Sequence, residues 1–571
     1  MTGSEACRWL LSPRDPLAET EIAAEVGTHP LVVAVLRNRG LRDTGAIADF
    51  LAPSLERLHD PALLPDIEPA VARLSQAIRA REAVLIHGDY DADGLTGTAL
   101  LARVLSKFGC RVQFYIPHRV REQYGLSAAA IERASELGAG LLVAVDCGVC
   151  DFEAIAVARR CGMDVIVVDH HEPGERLPEG AWVVDPKRAD SRYPERELAA
   201  VGLAFKVASA LCIHERVSEA SLQRNFLDLA AIGTIADVVP LRGENRLIAW
   251  AGLEVMAQTR SEGLQALLDI CGVGRPVRAM DIAFRVAPRL NAVGRVGDGT
   301  DGLEMLLTDD PQEARRLALH LDSMNRDRQR EQELVYQDAL QMVRDEVDLD
   351  SDRVIVLASA GWHVGVVGIV ASKLLEQYNR PTIMLVEDRG QLRGSARSVG
   401  GFDITAALRE CSSCLLRYGG HALAAGLTLR PEDLDEFRRR LNLVASETLA
   451  DEDLVAEVRI DAEVGLAEID MDLINALQRL EPYGHSNPEP LLLTCNLEVL
   501  ECRGVGQDGR HLKLYVRDEG RTAECIGFGM GAESSWIKPG TRLDLCYTPE
   551  INDYQGNRSI QLRLEAVRPA Q

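Results

Sequence analysis

No stretch of this 571-residue chain approaches the roughly 18 consecutive apolar residues that a membrane span requires. Met1 to Leu11 lacks a basic stretch followed by an apolar core, so no signal peptide is expected. Low-complexity segments are missing too. Hydrophobic residues make up 46% and charged residues 26% of the chain, an ordinary globular balance that excludes disordered and collagen-like classes. At roughly 100–200 residues per domain, the length predicts three to five domains. A chain of this size builds its core without staples. The 13 cysteines are spread thinly, which reads as reduced thiols of a cytoplasmic protein.

A surplus of positive charge is also lacking. With 63 Lys and Arg against 87 Asp and Glu, the net charge is −24. Taken alone, this argues against nucleic-acid binding, because phosphate contacts need basic surface. Binding depends on local patches, however, and arginine is dense at Arg275, Arg278, Arg285, Arg289 and Arg295, and again at Arg389, Arg393 and Arg397. An acidic body with a basic channel and an acidic body with a carboxylate metal site are both open readings.

Residues 1–75 read as short helices around Pro-containing turns, with Pro30–Arg39 stopping at Gly40. From Ala83 the pattern changes. Ala83–His87, Val112–Ile116, Leu141–Val145 and Val165–Val168 are short apolar runs separated by segments of helical composition, which predicts βαβ units and a mostly parallel sheet over 76–310. Ser221 to Ile235 reads as a helix. Residues 311–348 contain one long helix, Gln312 to about Val347, either packed along its own domain or joining two lobes. Residues 349–452 form a second α/β domain, with strands Arg353–Ala358 and Pro381–Val386 and helices Gly368–Tyr378 and Pro431–Leu449. Residues 453–571 carry five short alternating runs, expected to close as a small antiparallel barrel of the OB type.

The densest chemical signal is His87-Gly-Asp89-Tyr-Asp91-Ala-Asp93-Gly94, after the first strand and before a helix from Leu95 to Phe108. Carboxylates this close repel, and a cation or many hydrogen bonds must compensate them. A calcium loop is excluded, because the position for its bidentate Glu holds Leu100. Asp146 ends a second strand, and Asp169-His170-His171 ends a third. The carboxyl ends of parallel strands face one crevice. Carboxylate and imidazole donors there suit Mn²⁺, Mg²⁺ or Zn²⁺, in numbers sufficient for two ions sharing a carboxylate, as phosphoryl hydrolysis uses.

These motifs, HGDYDADG, VDCG and VDHH, resemble the DHH phosphoesterase superfamily. Gly419-Gly420-His421-Ala-Leu-Ala-Ala425-Gly426 resembles the signature of its associated DHHA1 domain. The segments 201–208, 233–241, 288–299 and 362–374 extend the likeness over nearly the whole chain, toward the single-strand-specific exonuclease branch. The resemblance implies His87, Asp91, Asp93, Asp146, His170 and Asp237 as metal ligands, with Asp146 bridging. Asp89 is an additional acid, either a ligand or a support. His171 would lie beside the scissile phosphate as hydrogen-bond donor or acid, and Asp169 would orient an imidazole. Arg119, Ser395 and Arg397 resemble contacts to a 5′-terminal phosphate. Arg289 and Asn291 would touch the strand near the active site. Gly419 and Gly420 would let backbone approach a phosphate, with His421 beside them.

The implied activity is metal-dependent 5′-to-3′ hydrolysis of single-stranded DNA to mononucleotides in repair and recombination. Two divalent ions would serve it, Mn²⁺ favoured and Mg²⁺ allowed. The implied partners are single-stranded DNA, a single-strand-binding protein and a helicase, with the chain itself a monomer off the membrane. A small-substrate phosphoesterase and a catalytically dead strand binder are the alternatives. The barrel's few aromatics (Tyr515, Phe528, Trp536, Tyr547, Tyr554) leave open whether it binds DNA or proteins. One departure from the family pattern is Ala200 in place of a glycine, which puts a close backbone approach in question. Cys147/Cys150 and Cys411/Cys414 have metal-ligand spacing but fall in different domains, and they read as chance.

Overall fold

A computed structural model describes residues 7–119, 122, 125–554 and 557–570. The first lobe is built on five parallel strands in the order Arg111–Tyr115, Ala83–Gly88, Ala139–Val145, Asp164–Val168, Ala181–Val184. Val84, Ile86, Val143 and Ile166 pack on one face; Ala83, Leu85, Leu142 and Val165 pack on the other. Burial on both faces is why these strands are nearly continuous apolar runs. The last strand, only four residues long, carries too short a run to be recognised in the sequence. Because the chain goes from Ala83–Gly88 to one side and then returns to the other, the sheet has its switch point between Ala83–Gly88 and Ala139–Val145. Ligands of open α/β sheets bind at such a point.

The long helix runs from Pro311 to Glu346, 36 residues and about 54 Å. Pro311 opens it, and the Asp310 carboxylate accepts from the Gln312 N–H. Leu317 and Leu321 belong to the first lobe's core. Val335, Ala339 and Val343 pack instead with Ile355, Val366 and Val370 of the second lobe. The helix therefore joins two cores, which decides between the two readings of its length. Between those apolar ends its buried residues are polar: Asp322, Asn325, Arg328 and Gln332.

The second lobe holds a five-stranded sheet in the order Leu415–His421, Ala424–Leu429, Gln391–Arg397, Thr382–Asp388, Ile355–Ser359, parallel only in the last pair. The glycine-rich signature is its hairpin. Gly420 has φ +148°, and a Cβ there would lie 2.3 Å from the Ala424 carbonyl oxygen, so only glycine fits.

The C-terminal strands close as a five-stranded barrel, since Leu492–Val505 pairs with both His511–Asp518 and Arg542–Tyr554. One barrel pairing, Arg521–Gly527 with Asn557–Pro569, is parallel. Tyr547 is fully buried and its hydroxyl meets Thr494, so it offers no surface for stacking; Phe528 is 61% exposed. The side chain of Tyr554 lies outside the described residues.

The N-terminal helices share the barrel's core: Leu31, Val35, Leu36 and Ile47 pack with Leu473, Leu497 and Leu545. Sequence reading gave this region helices alone. The structure adds strand Cys7–Leu11, paired in parallel with Ala456–Ile460, a partner too distant in sequence for any local signal. Arg246 fastens the barrel to the first lobe. It is 3% exposed and donates to the carbonyls of Phe50, Arg479 and Glu481 while lying 3.7 Å from the centre of the Phe50 ring. Burial lowers its pKa to about 10. Replacing Arg246 by Ala unpairs these carbonyls and removes the ring contact, so urea unfolding of the full chain should show a loss of about 3 kcal/mol in the transition that releases the barrel. Arg246→Lys should recover only part, because a point charge cannot reach three carbonyls as a fork does. An unchanged transition in both variants would refute this role.

Candidate active site

Each acidic motif sits where a strand of the first sheet ends. After Ala83–Gly88 the chain turns at once into helix Ala92–Lys107, and the Asp91 carboxylate caps that helix by accepting from the N–H groups of Asp93 and Gly94 at 3.0 and 3.1 Å. Gly94 is required for this turn, since a Cβ there would lie 2.6 Å from the Asp89 carbonyl oxygen. Asp93 points from the helix's first turn to the start of helix Ala200–His214. Its two oxygens accept from Ala200 N–H at 2.7 Å and Val201 N–H at 2.8 Å. Alanine at 200 thus permits the close backbone approach that its departure from the family pattern had put in question.

Asp146 follows Ala139–Val145 with φ +62°, an uncommon conformation for a side chain other than glycine and one that collects at functional sites. His170 Nε2 lies 3.3 Å from Asp146 and 3.7 Å from Asp237, the residue capping the end of helix Glu219–Ala236. His171 Nδ1 lies 2.7 Å from Asp169. Asp169 also accepts backbone N–H groups from Val149, His170 and His171, so it holds the imidazole in place. Val238, next to Asp237, is a second left-handed residue, with φ +60°.

Three overlapping groups of donors result: Asp89, Asp91 and Asp146; Asp146, His170 and His171; and Asp93, His170 and Asp237, with the donor atoms of each group within 4.8 Å of one another. Asp146 and His170 each belong to two groups, so the whole array could hold two ions. The electrostatics fit cations. Burial and then the charge of Asp91 push the Asp89 carboxyl well up, and raise Asp93 to about 7. Burial and the neighbouring carboxylates do the same to Asp146 and Asp237. Asp89 Oδ1 is buried without a hydrogen-bond partner. Among the described residues, Asp89, Asp91, Asp93 and Asp237 form no ion pair with Lys or Arg. Burial and His171 hold His170 down to about 3, a neutral imidazole able to ligate. His171 differs. Burial would lower it, but the bond to Asp169 and the charges of Asp169, Asp237 and Asp89 outweigh this and raise it to about 9.

His87 is a correction. It is absent from these groups, because strand alternation turns it to the face of Ala83 and Leu85. There its Nε2 accepts from Ser127 N–H at 3.0 Å, and burial lowers it to about 4. Two residues expected at the strand have partners within the fold. Arg289 is committed to Asp322 of the long helix, at 2.9 and 2.8 Å. Asn291 Oδ1 accepts from Ala92 N–H at 2.7 Å and so fixes the start of the catalytic helix.

Arg119 lies over the Tyr90 ring at 5.0 Å, and its charge adds to burial in lowering Arg397 of the other lobe. Ser395 and Arg397 both sit against Gly368, where a Cβ would be 3.2 and 3.1 Å from them. The Gly419–His421 strand lies beyond, exposed, separated from the strand of Ser395 by Ala424–Leu429. Sequence reasoning missed Arg295 as a site residue. Its spacing of four from Asn291 was the available signal. Arg328 carried none, being one of many arginines in a polar helix. Cys147 is buried beside His87, whereas Cys411 and Cys414 sit in the second lobe's core. No donor group among the described residues includes a cysteine.

Comparison with known proteins agrees with this arrangement. Family models match residues 83–234 (DHH family, N-terminal domain), 351–447 (DHHA1 domain) and 460–566 (RecJ OB domain). The chain is 38% identical over 562 residues to the single-stranded-DNA-specific exonuclease RecJ of Bacillus subtilis, covering 98% of this chain and 70% of that protein. Crystal structures of Thermus thermophilus RecJ superimpose closely. The complex with Mn²⁺ gives a TM-score of 0.85 at 32% identity, over 99% of this chain and 80% of that one. The complex with Mg²⁺ gives 0.81 at 30%, over 99% and 79%. With three domain models in order and likeness along almost its full length, the chain belongs to the RecJ family of DHH–DHHA1 proteins.

Proposed function

We propose that this chain is a metal-dependent exonuclease that degrades single-stranded DNA from its 5′ end to mononucleotides, serving repair and recombination. The observation that carries the reading is the donor array shared by three strand ends, in a chain whose relatives are named for this activity. Asp89, Asp91, Asp93, Asp146, His170 and Asp237 would hold two divalent ions, Mn²⁺ or Mg²⁺, with Asp146 common to both. When bound, the ions supply Lewis acidity and charge neutralisation for phosphodiester hydrolysis.

The chain's own groups do the rest. Asp169 keeps the His171 imidazole oriented and favours its protonated form, from which it would donate to the scissile phosphate or to the departing 3′ oxygen. Asp91 and Asn291 fix the start of the catalytic helix, so Asp89 and Asp93 keep their places. Arg119, Ser395 and Arg397 would receive the 5′-terminal phosphate, whose extra charge and oxygens suit a guanidinium fork. The Gly419–His421 strand, on the far side of Ala424–Leu429, would add backbone farther along the strand's path. A cleft admitting one strand excludes duplex by width. A single-strand-binding protein and a helicase as partners, action as a monomer and a cytoplasmic setting complete the proposal. No helix among the described residues is long and apolar enough to cross a membrane.

Asp146→Ala should cut the rate of end-labelled strand digestion by at least about a hundredfold, while strand affinity by fluorescence anisotropy is kept. Near-normal digestion would show that Asp146 bridges nothing. Chelation should abolish digestion and lower the thermal midpoint, and Mn²⁺ or Mg²⁺ should restore both, since ions bound only by the folded chain stabilise it. Arg397→Ala should reduce the preference for 5′-phosphorylated over 5′-hydroxyl strands in paired digestions. Equal loss on both substrates would mean that Arg397 only holds the lobes together.

A further inference from the structure

A cavity of about 170 Å³ opens beside Asp237, at the meeting of the first lobe, the long helix and the second lobe. Ala236 and Val238, on either side of Asp237, line it. Asn291 and Arg295 come from the same lobe, Arg328 from the long helix and Ile369 from helix Val364–Tyr378. The catalytic arrangement makes no use of either arginine.

Arg328 is 9% exposed. Its two terminal nitrogens donate to Asn325 Oδ1 at 2.9 Å and Gln332 Oε1 at 3.1 Å, both neutral, and its Nε is buried with no partner. Arg295 donates to the Gly365 carbonyl at 3.1 Å. Among the described residues neither guanidinium meets a carboxylate. Burial lowers both; at Arg295 the charges of Arg119, Arg328 and Arg397 add repulsion and that of Asp91 attracts, leaving it at about 10.

Several buried cations of the fold have carboxylate partners, Lys206 with Glu244, Arg73 with Glu82 and Asp164, and Arg188 with Asp66 and Asp190, whereas Arg246 is met by three carbonyls. A buried cation without a counter-charge is destabilising by itself. Arg328, buried in this way, and the half-buried Arg295 face one small cavity, and together they call for an anion from outside. The planar forks suit phosphate, and the apolar lining suits the sugar carbons attached to it. The volume suits one phosphate group and its surroundings, which distinguishes this cavity from the terminal-phosphate contacts at Arg119, Ser395 and Arg397.

We propose that Arg295 and Arg328 form a second phosphate subsite, which takes an internucleotide phosphate of the strand as it passes Asp237. The choice of the strand as the source rests on the exonuclease reading; the phosphate chemistry does not. Free phosphate, or the phosphate of a released mononucleotide, shares that chemistry.

The test uses the full chain and its Arg328→Met variant, which keeps the bulk of the side chain and removes its charge. Without phosphate, the thermal midpoint of the variant should rise, because an unpaired buried charge is gone. Inorganic phosphate should raise the midpoint of the parent chain and leave the variant unmoved. With divalent ions chelated, affinity for a single strand should fall by roughly tenfold or more, and the salt dependence of binding should lose about one unit of slope. Strands with one neutral methylphosphonate linkage, moved step by step from the 5′ end, should weaken binding by the parent at one position and have no effect there in the variant.

Loss of the phosphate effect with no sensitive linkage would support the subsite and assign it to free phosphate. A lowered midpoint with parental affinity, slope and phosphate response would overturn the proposal, since Arg328 would then serve only its bonds to Asn325 and Gln332. Should Arg328→Met fail to fold, Arg295→Gln is read in the same assays with the same expected losses. A parent chain that binds strands but never shortens them would refute the exonuclease reading and leave these binding readouts standing.

Discussion

Carboxylates brought together at the carboxyl edge of the first sheet repel one another, and much of the first lobe is arranged to contain that repulsion. Asp93 is held by the first N–H groups of helix Ala200–His214. Asp91 spends one oxygen on the helix it caps. Asp169 is surrounded by backbone donors and by His171. The carboxyls driven furthest up are those of Asp89, Asp146 and Asp237. Backbone dipoles thus fix the geometry, and divalent cations complete the charge balance. The left-handed backbone at Asp146 fits the same picture, since strain persists where surrounding structure over-determines it.

The opposite problem faces this one across the cleft. Arg119, Arg295, Arg328 and Arg397 crowd the junction of the lobes without a matching row of acids. The net charge of −24 conceals this segregation, because it averages an acidic body with a basic passage. A polyanion threading between the lobes would meet guanidinium groups on one side and, with divalent ions bound, neutralised carboxylates on the other. Burial strengthens both sets, since charges removed from water are screened less by salt.

The barrel and the N-terminal helices form one packed unit, and that unit is fastened close to the catalytic groups. Leu241 N–H donates to the His485 carbonyl at 2.8 Å, and Arg242 Nε donates to the Ser486 carbonyl at 3.0 Å. These contacts lie four and five residues after Asp237 in the same segment, and Arg246 follows on the next helix. The barrel therefore braces the piece of chain that carries one acid of the array.

Local periodicity was enough to place the parallel sheet, the long helix and the barrel, because each repeats a pattern within a few residues. The same holds for Asp91, Asp93, Asp146 and His170: residues at the ends of neighbouring parallel strands must converge, whatever the rest of the fold does. His87 defeated sequence reasoning because its side of the strand is set by alternation within the sheet, and the motif does not record it. The partners of Arg289 and Asn291, Asp322 and Ala92, were hidden because they come from other helices. Strand Cys7–Leu11 and the junction at Arg246 were invisible, since each joins segments hundreds of residues apart. The sequence alone determined which chemical groups lie at the strand ends. The tertiary structure decided which of them face one another, because a side chain's direction and its partners are set by packing between elements that share no local pattern.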